Sequence, residues 1–411
     1  MTQQANTFKF RIRNSWVPCL LVLACSLPCA AQNEIADPAK LGFDVETLAE
    51  INEIMQEAVD DGKMVGANAL IMKDGQVCYY QQWGQANREK DIPVTRDSIW
   101  RIYSMSKPIT SIATMQLVEQ GKLELDTPVS QYIPAFKDVK VLTKVGDDFE
   151  EVECDRPMTV RDLLRHSSGL TYGFFARSEV DKRYRDAGIL ILHRDLKAMA
   201  ESLAKLPLKH QPGSRFEYSV STDLLGYLVE VASGQRFDEY LQENVFEPLG
   251  MTDTSFTVPK DKLDRFAEMY RPAGDGLQPS AAMASIRFVS QDNEFFSGGG
   301  GLCSTIDDYL QFSRMLLNKG ELNGNRIVSE ASLKEMWTNQ LGDLPDQRGQ
   351  FKFGLGFSIS PEGDYAWGGA AGTRFWVNPE KNLAIIFMVQ INPNRFRYGD
   401  QMREIVYEAL K

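Results

Sequence analysis

Apolar positions near the N-terminus recur first at helical and then at strand spacing. Residues 44–61 place their apolar side chains on one helix face, which predicts an amphipathic helix. The two apolar runs that follow, residues 66–72 and 77–83, flank an Asp-Gly pair, which is typical of a β-hairpin. The pattern therefore predicts one helix followed by two antiparallel strands.

The C-terminal part of the chain contains the same kinds of element in the opposite order. Residues 374–377 and 383–389 are apolar runs on either side of a polar five-residue turn, which predicts a second hairpin. Helical periodicity then returns over about residues 399–410. We therefore expect strands followed by a terminal helix.

The pattern of hydrophobic residues in the middle of the chain differs from that at its ends. Residues 156–250 read mostly as helices. Strands at both ends and helices between them predict an α+β fold, an antiparallel sheet flanked by helices. We expect the sheet region to comprise about residues 44–125 and 297–411, with a mainly helical insertion over about 126–296.

The first 31 residues are typical of a secretory signal peptide. Positive charges at Lys9, Arg11 and Arg13 precede an apolar run that ends at Ala31. The run contains two prolines and is short for a membrane span, which needs about 20 apolar residues. We expect cleavage after residue 31 and a mature domain, residues 32–411, that is periplasmic or secreted, without a stable membrane span. A lipoprotein acylated at Cys25 is the alternative.

Charge and cysteine content exclude several functions. The net charge of −11 becomes −14 without residues 1–31, and no basic stripe remains, so nucleic-acid binding is not predicted. The mature part keeps Cys78, Cys154 and Cys303, an odd number that allows at most one disulfide and leaves its pairing open. Neither the cysteines nor the three histidines follow a zinc spacing, so neither a metal nor another cofactor is predicted.

A Ser-x-x-Lys tetrad beginning at Ser104 carries the candidate chemistry. Side chains three residues apart share a helix face, so Lys107 can serve as the base for the Ser104 hydroxyl. Pro108 fits the first turn of a helix, which places Ser104 near a helix N-terminus. The spacing arises about once or twice by chance in a chain this long, and a second copy at Ser202 and Lys205 lies in a predicted surface helix. Taken alone, the tetrad favours a helix cap followed by a solvated lysine over a catalytic pair.

Other segments strengthen the catalytic interpretation. Tyr218 follows an irregular stretch and directly precedes a helix, a position that exposes its phenol in a cleft. Residues 367–370 place bare glycine backbone beside a predicted edge strand. His166 does not complete a Ser-His-Asp triad, because the chain lacks a Gly-x-Ser-x-Gly elbow, and is interpreted as a structural residue at a helix end. Residues 171–191 are either a lid or a solvated insertion.

Two further features are interpreted as structural. The glycine run 298–301 lacks the Lys-Ser/Thr of a phosphate-binding loop, which favours close packing beside the cleft. Cys303 has no cation beside it in the sequence and is expected to be a small buried residue.

In this order the segments resemble a known family, the serine β-lactamase and penicillin-recognising superfamily. Within it, the chain is similar to the branch that holds class C β-lactamases and family VIII esterases. The resemblance runs from about residue 44 to the C-terminus and includes stretches 166–170, 247–251 and 298–302. It implies that Ser104 is the acylated nucleophile and Lys107 its proton acceptor.

The resemblance also implies roles for the companion segments. Tyr218 matches the tyrosine of the Tyr-x-Asn motif, which passes protons to the leaving group and helps to activate water. The Lys-Thr-Gly motif falls on Trp367, Gly368 and Gly369, so the second oxyanion N–H group would come from Ala370.

Departures from the family motifs point to the substrate. Val220 replaces the asparagine that hydrogen-bonds acylamino side chains, although Ser221 could partly stand in for it. Trp367 replaces the lysine that holds a β-lactam carboxylate, and losing a charged partner typically costs a few kcal/mol. A tryptophan at this position is a feature of family VIII esterases, which favours neutral esters.

The sequence therefore predicts an exported serine hydrolase that acts through an acyl-enzyme on a small ester or amide. A carboxylesterase is favoured over a β-lactamase or D-amino-acid peptidase. A non-catalytic peptidoglycan- or ligand-binding protein is the alternative from another class, and the retention of Ser104, Lys107 and Tyr218 argues against it. The oligomeric state is not predicted.

Overall fold

The described residues of a computed structural model, 1–2, 35–280, 287–344 and 352–411, contain one large antiparallel sheet and four small hairpins or strand pairs. The strands are β1 (Gly66–Lys73), β2 (Gln76–Asn87), β3 (Ile92–Pro93), β4 (Trp100–Arg101), β5 (Val141–Val145), β6 (Asp148–Val152), β7 (Tyr270–Ala273), β8 (Gly276–Pro279), β9 (Cys303–Ser304), β10 (Glu321–Leu322), β11 (Asn325–Arg326), β12 (Lys352–Phe353), β13 (Ser358–Ile359), β14 (Tyr365–Gly368), β15 (Arg374–Asn378) and β16 (Leu383–Val389).

Helices lie before, between and after these strands. They are α1 (Val45–Asp60), α2 (Ser106–Glu119), α3 (Val129–Tyr132), α4 (Val160–Leu164), α5 (Glu179–Asp186), α6 (Leu196–Leu203), α7 (Ser221–Ser233), α8 (Phe237–Leu241), α9 (Glu247–Leu249), α10 (Ile306–Leu317), α11 (Glu330–Met336) and α12 (Tyr398–Ala409). Short 3₁₀ segments include Tyr103–Met105, immediately before α2.

The large sheet joins the two ends of the chain, as predicted. Its strand order is β12-β13-β14-β15-β16-β1-β2-β3, so the C-terminal strands meet the N-terminal strands at the β16–β1 pair. There Ala67 lies opposite Val389 and Lys73 lies opposite Leu383. Both predicted hairpins, β1–β2 and β15–β16, are present.

Helices cover both faces of this sheet. Every residue of β16 is buried, and such continuous apolar strands are typical of a sheet covered on two sides. Ile386 belongs to the core that contains Ile109 of α2, whereas Ile385 belongs to the core that contains Ile51 of α1 and Val406 of α12. The predicted α+β architecture is therefore confirmed.

Helices α3 to α9 lie in the part of the chain predicted as a helical insertion, but two hairpins there were not predicted. The β5–β6 and β7–β8 pairs are short and not part of the large sheet. Strand β6 is exposed and polar, so it lacks the apolar alternation that identifies a strand in a sequence. The second Ser-x-x-Lys copy begins on α6, and its Lys205 is exposed, in agreement with a surface position.

The N-terminal predictions fall largely outside the described residues. The chain divides into the units Met1–Glu34 and Ile35–Lys411, and the signal peptide with its alternative acylation site at Cys25 lies in the first, of which only residues 1–2 are described. No helix in the described ranges has the length and apolar character required to cross a bilayer. Cys78, Cys154 and Cys303 are each unpaired.

Candidate active site

Ser104 lies in the tight turn that starts the buried helix α2. The preceding strand, β4, pairs with β9, and the Ile102 N–H group donates to the Leu302 carbonyl at 3.0 Å. Tyr103 then adopts the left-handed backbone conformation, with a φ of 41°, which is uncommon for residues other than glycine. Only four residues separate the end of β4 from the start of α2, and they place Ser104 just before the helix N-terminus, as the sequence predicts.

Lys107 is buried and is held by three oxygen atoms. Its Nζ lies 3.2 Å from Ser104 Oγ, 2.8 Å from Tyr172 Oη and 2.6 Å from the Gly299 carbonyl oxygen. A neutral amine has two hydrogens and one lone pair. If the hydrogens go to Tyr172 and Gly299, the lone pair remains for the hydroxyl of Ser104. None of the three partners is a carboxylate, so the contacts do not require an ammonium.

Tyr218 contacts Ser104 from the start of α7. Its hydroxyl donates to Ser104 Oγ at 2.7 Å, and the indole Nε1 of Trp367 donates to the Tyr218 hydroxyl at 3.4 Å. The Trp367 ring packs against Tyr218 at 5.4 Å and against Phe353 at 5.2 Å between ring centroids. The structure thus brings Tyr218 and Trp367, which are distant in the sequence, next to the Ser104–Lys107 pair.

The third motif segment lies on an interior strand, so the predicted edge strand is wrong. Strand β14 has β13 and β15 on its two sides. However, β13 pairs only with Tyr365 and Ala366, because it is two residues long, and the rest of β14 lacks a ladder partner on that side. The exposed backbone that the sequence suggested is therefore present because β13 is short, and not because β14 is an edge strand.

Glycine is required where this segment approaches the turn before Ser104. A Cβ atom on Gly369 would lie 2.5 Å from the Ile102 carbonyl oxygen and 2.2 Å from Thr373 Oγ1. The Gly369 N–H group donates to the Thr373 carbonyl at 2.8 Å, whereas the Ala370 N–H group makes no hydrogen bond to any described residue. The exposed Ala370 therefore offers a free donor beside the cleft.

Asp223 holds the glycine run 298–301 against the site. Its Oδ1 accepts hydrogen bonds from the Gly299 N–H group, at 3.1 Å, and from the Ser297 hydroxyl. A Cβ atom on Gly299 would lie 2.4 Å from Asp223 Oδ2, so only glycine fits there. Burial raises the pKa of Asp223, and the charge of Lys107 partly opposes this. The run packs beside the cleft as predicted, and it also supplies the carbonyl that holds Lys107, which was not predicted.

The comparisons with known proteins agree with this geometry. The family model described as Beta-lactamase matches residues 51–407. The chain belongs to the beta-lactamase family. This confirms the resemblance inferred from the motifs.

Relatives of this beta-lactamase-family protein include hydrolases of different specificity. Esterase EstB of Burkholderia gladioli is 29% identical, over 86% of this chain and 93% of its own. An Escherichia coli K12 protein provisionally named a D-alanyl-D-alanine carboxypeptidase is 27% identical, over 95% of this chain and 98% of its own. The solved structure of EstCE1, described as a hydrolase with promiscuous acyltransferase activity, has a TM-score of 0.76 and 27% identity, covering 88% of this chain and 99% of that one.

His166 is a structural residue in this family member, as the sequence predicts. It follows α4 in the left-handed conformation, with a φ of 56°, and is buried with its Nδ1 3.2 Å from Ser219 Oγ. Burial, together with the charge of Lys107, holds the pKa of His166 well below its usual range. The imidazole is therefore neutral at physiological pH. In the described structure it makes no hydrogen bond to Ser104 or Lys107.

The Asn position of the second motif carries no polar group into the site. Val220 is fully buried. The Ser221 hydroxyl is also buried and bonds to Ser168 Oγ at 2.8 Å and Ser219 Oγ at 2.7 Å. Because these bonds occupy Ser221 in an internal network, the expectation that it partly replaces the asparagine is not supported.

Tyr172 is the site residue that sequence reasoning missed. The segment 171–191 was singled out for its aromatic residues, but nothing in its spacing links Tyr172 to Lys107, 65 residues earlier. Burial, followed by the proximity of Tyr218 and Asp223, raises the pKa of Tyr172 well above its usual range, so it remains a neutral phenol. Within the described chain, no group of three or more His, Cys, Asp or Glu side chains is arranged to hold a metal ion.

Proposed function

We propose that this protein is an exported serine hydrolase that forms an acyl-enzyme on Ser104 and prefers carboxylic esters. The observation that carries the proposal is that Ser104 Oγ lies within hydrogen-bond distance of both Lys107 Nζ and Tyr218 Oη. A serine hydroxyl needs a base and a route for returning the proton to the leaving group. The two contacts supply both requirements.

The contacts define a directed proton arrangement. The Trp367 N–H group donates to Tyr218, and Tyr218 donates to Ser104. Lys107 Nζ lies 3.2 Å from Ser104 Oγ, so a neutral Lys107 is close enough to accept the serine proton. In acylation, Ser104 Oγ bonds to the ester carbonyl carbon while its proton passes to Lys107. The ester C–O bond then breaks, and Tyr218 gives a proton to the leaving alkoxide and regains one from Lys107.

Deacylation reverses these proton movements with water in place of the alcohol. Water bonds to the acyl carbon, gives its proton to the Tyr218–Lys107 pair, and the bond to Ser104 Oγ breaks with return of that proton to the serine. In both steps negative charge develops on the carbonyl oxygen. The free N–H group of Ala370, together with that of Ser104, is proposed to stabilise this charge, with Gly368 and Gly369 shaping the backbone.

An ester preference follows from what lines the cleft beside Ser104. Trp367 presents an indole where β-lactamases of this family carry a lysine, and Val220 offers no amide. A substrate carboxylate would therefore find neither a lysine nor an amide at these two positions, whereas a neutral ester needs neither.

A D-amino-acid peptidase is the second candidate function. The Escherichia coli relative with that provisional name supports it. Export rests on the signal-peptide pattern of residues 1–31.

Active-site labelling tests the proposal directly. We expect a fluorophosphonate probe to add one adduct to the mature protein, and peptide mapping by mass spectrometry to locate it on Ser104. Ser104→Ala should abolish labelling, whereas Ser202→Ala, in the second Ser-x-x-Lys copy, should label normally. An adduct on another residue would contradict the assignment of the nucleophile.

A substrate panel tests the preference among substrates. We expect higher kcat/KM for a short-chain ester than for a chromogenic cephalosporin or a D-alanyl-D-alanine peptide. Faster turnover of the lactam or the peptide would replace the esterase with one of those activities. Binding of panel members without any turnover would instead support a non-catalytic binding protein.

Tyr172→Phe tests the contact that holds Lys107. We expect kcat for ester hydrolysis to fall about 10- to 100-fold, because a buried amine that loses a hydrogen-bond partner loses about 1–3 kcal/mol. Measurement of kcat and KM across pH should show the change mainly in kcat. Tyr184→Phe is the matched control, since Tyr184 is also buried and its hydroxyl has no hydrogen-bond partner in the described structure. Equal effects of the two variants would contradict a specific role for Tyr172.

A further inference from the structure

Two adjacent phenylalanines are exposed next to the candidate active site. Phe174 and Phe175 expose 58% and 65% of their surface, although burying such a ring typically yields about 1.5–3 kcal/mol. Their ring centroids lie 4.5 Å apart. We refer to this pair as the aromatic shelf.

The aromatic shelf is continuous with the catalytic groups. The Phe174 centroid lies 5.0 Å from that of Tyr172, whose hydroxyl contacts Lys107. The Phe175 centroid lies 5.7 Å from that of Tyr218, whose hydroxyl contacts Ser104. Aromatic surface therefore extends from solvent to the nucleophile.

The backbone on both sides of the aromatic shelf is fixed. Arg185 donates to the carbonyl of Gly173 and, at 3.1 Å, to that of Ala176. The start of α5 is tied in by the buried Asp181, which accepts from Thr171 Oγ1 at 2.7 Å. Because the backbone on both sides of the two exposed rings is held by hydrogen bonds, the rings form a preformed contact surface.

Ion pairs also link the start of α5 to the segment that carries Tyr218. Lys209 Nζ lies 3.4 Å from Asp181 Oδ2 and 2.6 Å from Glu217 Oε1. Burial by itself raises the pKa of Asp181, but hydrogen bonds from Ser178 and Thr171 outweigh it, so the pKa lies below its usual range. The anchor therefore remains ionised at neutral pH, and the aromatic shelf is held next to Tyr218.

We propose that the aromatic shelf binds an apolar, preferably aromatic, group of the ester whose carbonyl reacts with Ser104. This inference rests on the proposed function. Flat rings favour stacking with another aromatic group at centroid distances like those already present in the cluster. The group can belong to the acyl half or to the alcohol half of the ester, and the test below distinguishes them.

The test uses three unactivated esters: ethyl acetate, benzyl acetate and ethyl phenylacetate. The ratio of kcat/KM for each aromatic ester to that for ethyl acetate is measured in the wild type and in the double variant Phe174→Ala/Phe175→Ala. We expect one ratio to fall about tenfold, and the ester concerned identifies the half that lies on the aromatic shelf. The double variant Phe174→Leu/Phe175→Leu, which keeps apolar surface, should recover part of the ratio.

Phe149→Ala is the matched control, because Phe149 is an exposed phenylalanine on the β5–β6 hairpin, with 48% of its surface accessible. It should leave both ratios within about twofold of the wild type. If both ratios are also unchanged in the double alanine variant while Ser104 is still acylated, the aromatic shelf is not a substrate site. A wild type that hydrolyses none of the three esters and forms no adduct on Ser104 contradicts the proposed function itself, and this inference with it.

Discussion

Lys107→Met is expected to lower kcat for ester hydrolysis by about a thousandfold, since general-base catalysis contributes roughly 10²–10⁴ to a rate. The methionine keeps the length and the apolar part of a side chain that is 99% buried, but it removes the amine that lies 3.2 Å from Ser104 Oγ. The acylation rate should be measured by stopped flow with an activated ester, separately from KM.

The second Ser-x-x-Lys copy provides the control for this variant. Lys205→Met changes the same residue type at the same spacing, but Lys205 is exposed and beyond the end of α6. It should retain wild-type kcat. If Lys107→Met stays within tenfold of the wild type, while circular dichroism shows both variants folded, Lys107 is not the base.

Asp162→Asn is expected to lower the free energy of unfolding by about 3 kcal/mol, the lower end of the usual cost of breaking a buried ion pair. The Asp162 side chain is fully buried and accepts from Arg156 at 2.6 Å and 2.9 Å and from Arg165 at 3.0 Å. It also caps α4 through the Thr159 N–H group at 3.0 Å. Thermal or urea unfolding of both proteins measures the difference.

The effect of Asp162→Asn should depend on pH. Burial alone raises the pKa of Asp162, but hydrogen bonds from Arg156 and Thr159 outweigh it, so the folded-state pKa lies below the ordinary value of 3.8. A lowered carboxyl pKa contributes stability above the unfolded-state value, and this contribution is lost as the pH falls through the folded-state value. The difference in unfolding free energy between the two proteins should therefore be complete at pH 7 and should begin to shrink as the pH falls below about 4.

Asp61→Asn is the comparison for Asp162→Asn. Asp61 pairs with Lys63 at 2.6 Å, but the two side chains are 45% and 51% exposed, and such surface pairs contribute about 0–1 kcal/mol. Equal losses of stability in the two variants, or a loss at Asp162 that does not change with pH, would contradict this explanation.

The strand and helix pattern at the two ends of the chain was predictable because periodicity is local. The amphipathic helix at residues 44–61 appears as Val45–Asp60, and the hairpin at 374–389 appears as β15 and β16. Strands β5 to β8 were missed, because β6 is exposed and polar and the other three are only four or five residues long, too short to show a clear alternation. The place of β14 inside the sheet was also missed, because its neighbour β13 is only two residues long and has no apolar pattern that predicts a strand.

Some residues of the candidate site could likewise be predicted from the sequence, whereas the contacts between them could not. Ser104 and Lys107 could be found from their spacing, and Tyr218 and Trp367 from a family resemblance. The contacts of Lys107 with Tyr172 and with the Gly299 carbonyl arise from two separate loops packing over one helix. Such contacts are a property of the tertiary fold, so no motif in a single sequence contains them.

Helix α2, which carries Lys107, and the aromatic shelf should differ strongly in how well they tolerate mutation. Every residue from Ser106 to Leu117 is buried, so a change in the helix that carries Lys107 disturbs the core as well as the chemistry. Phe174 and Phe175 stand outside that core and can vary at little cost to folding. In evolution or in the laboratory, substrate range should therefore diverge through the segment after α4, while the chemistry on α2 stays the same.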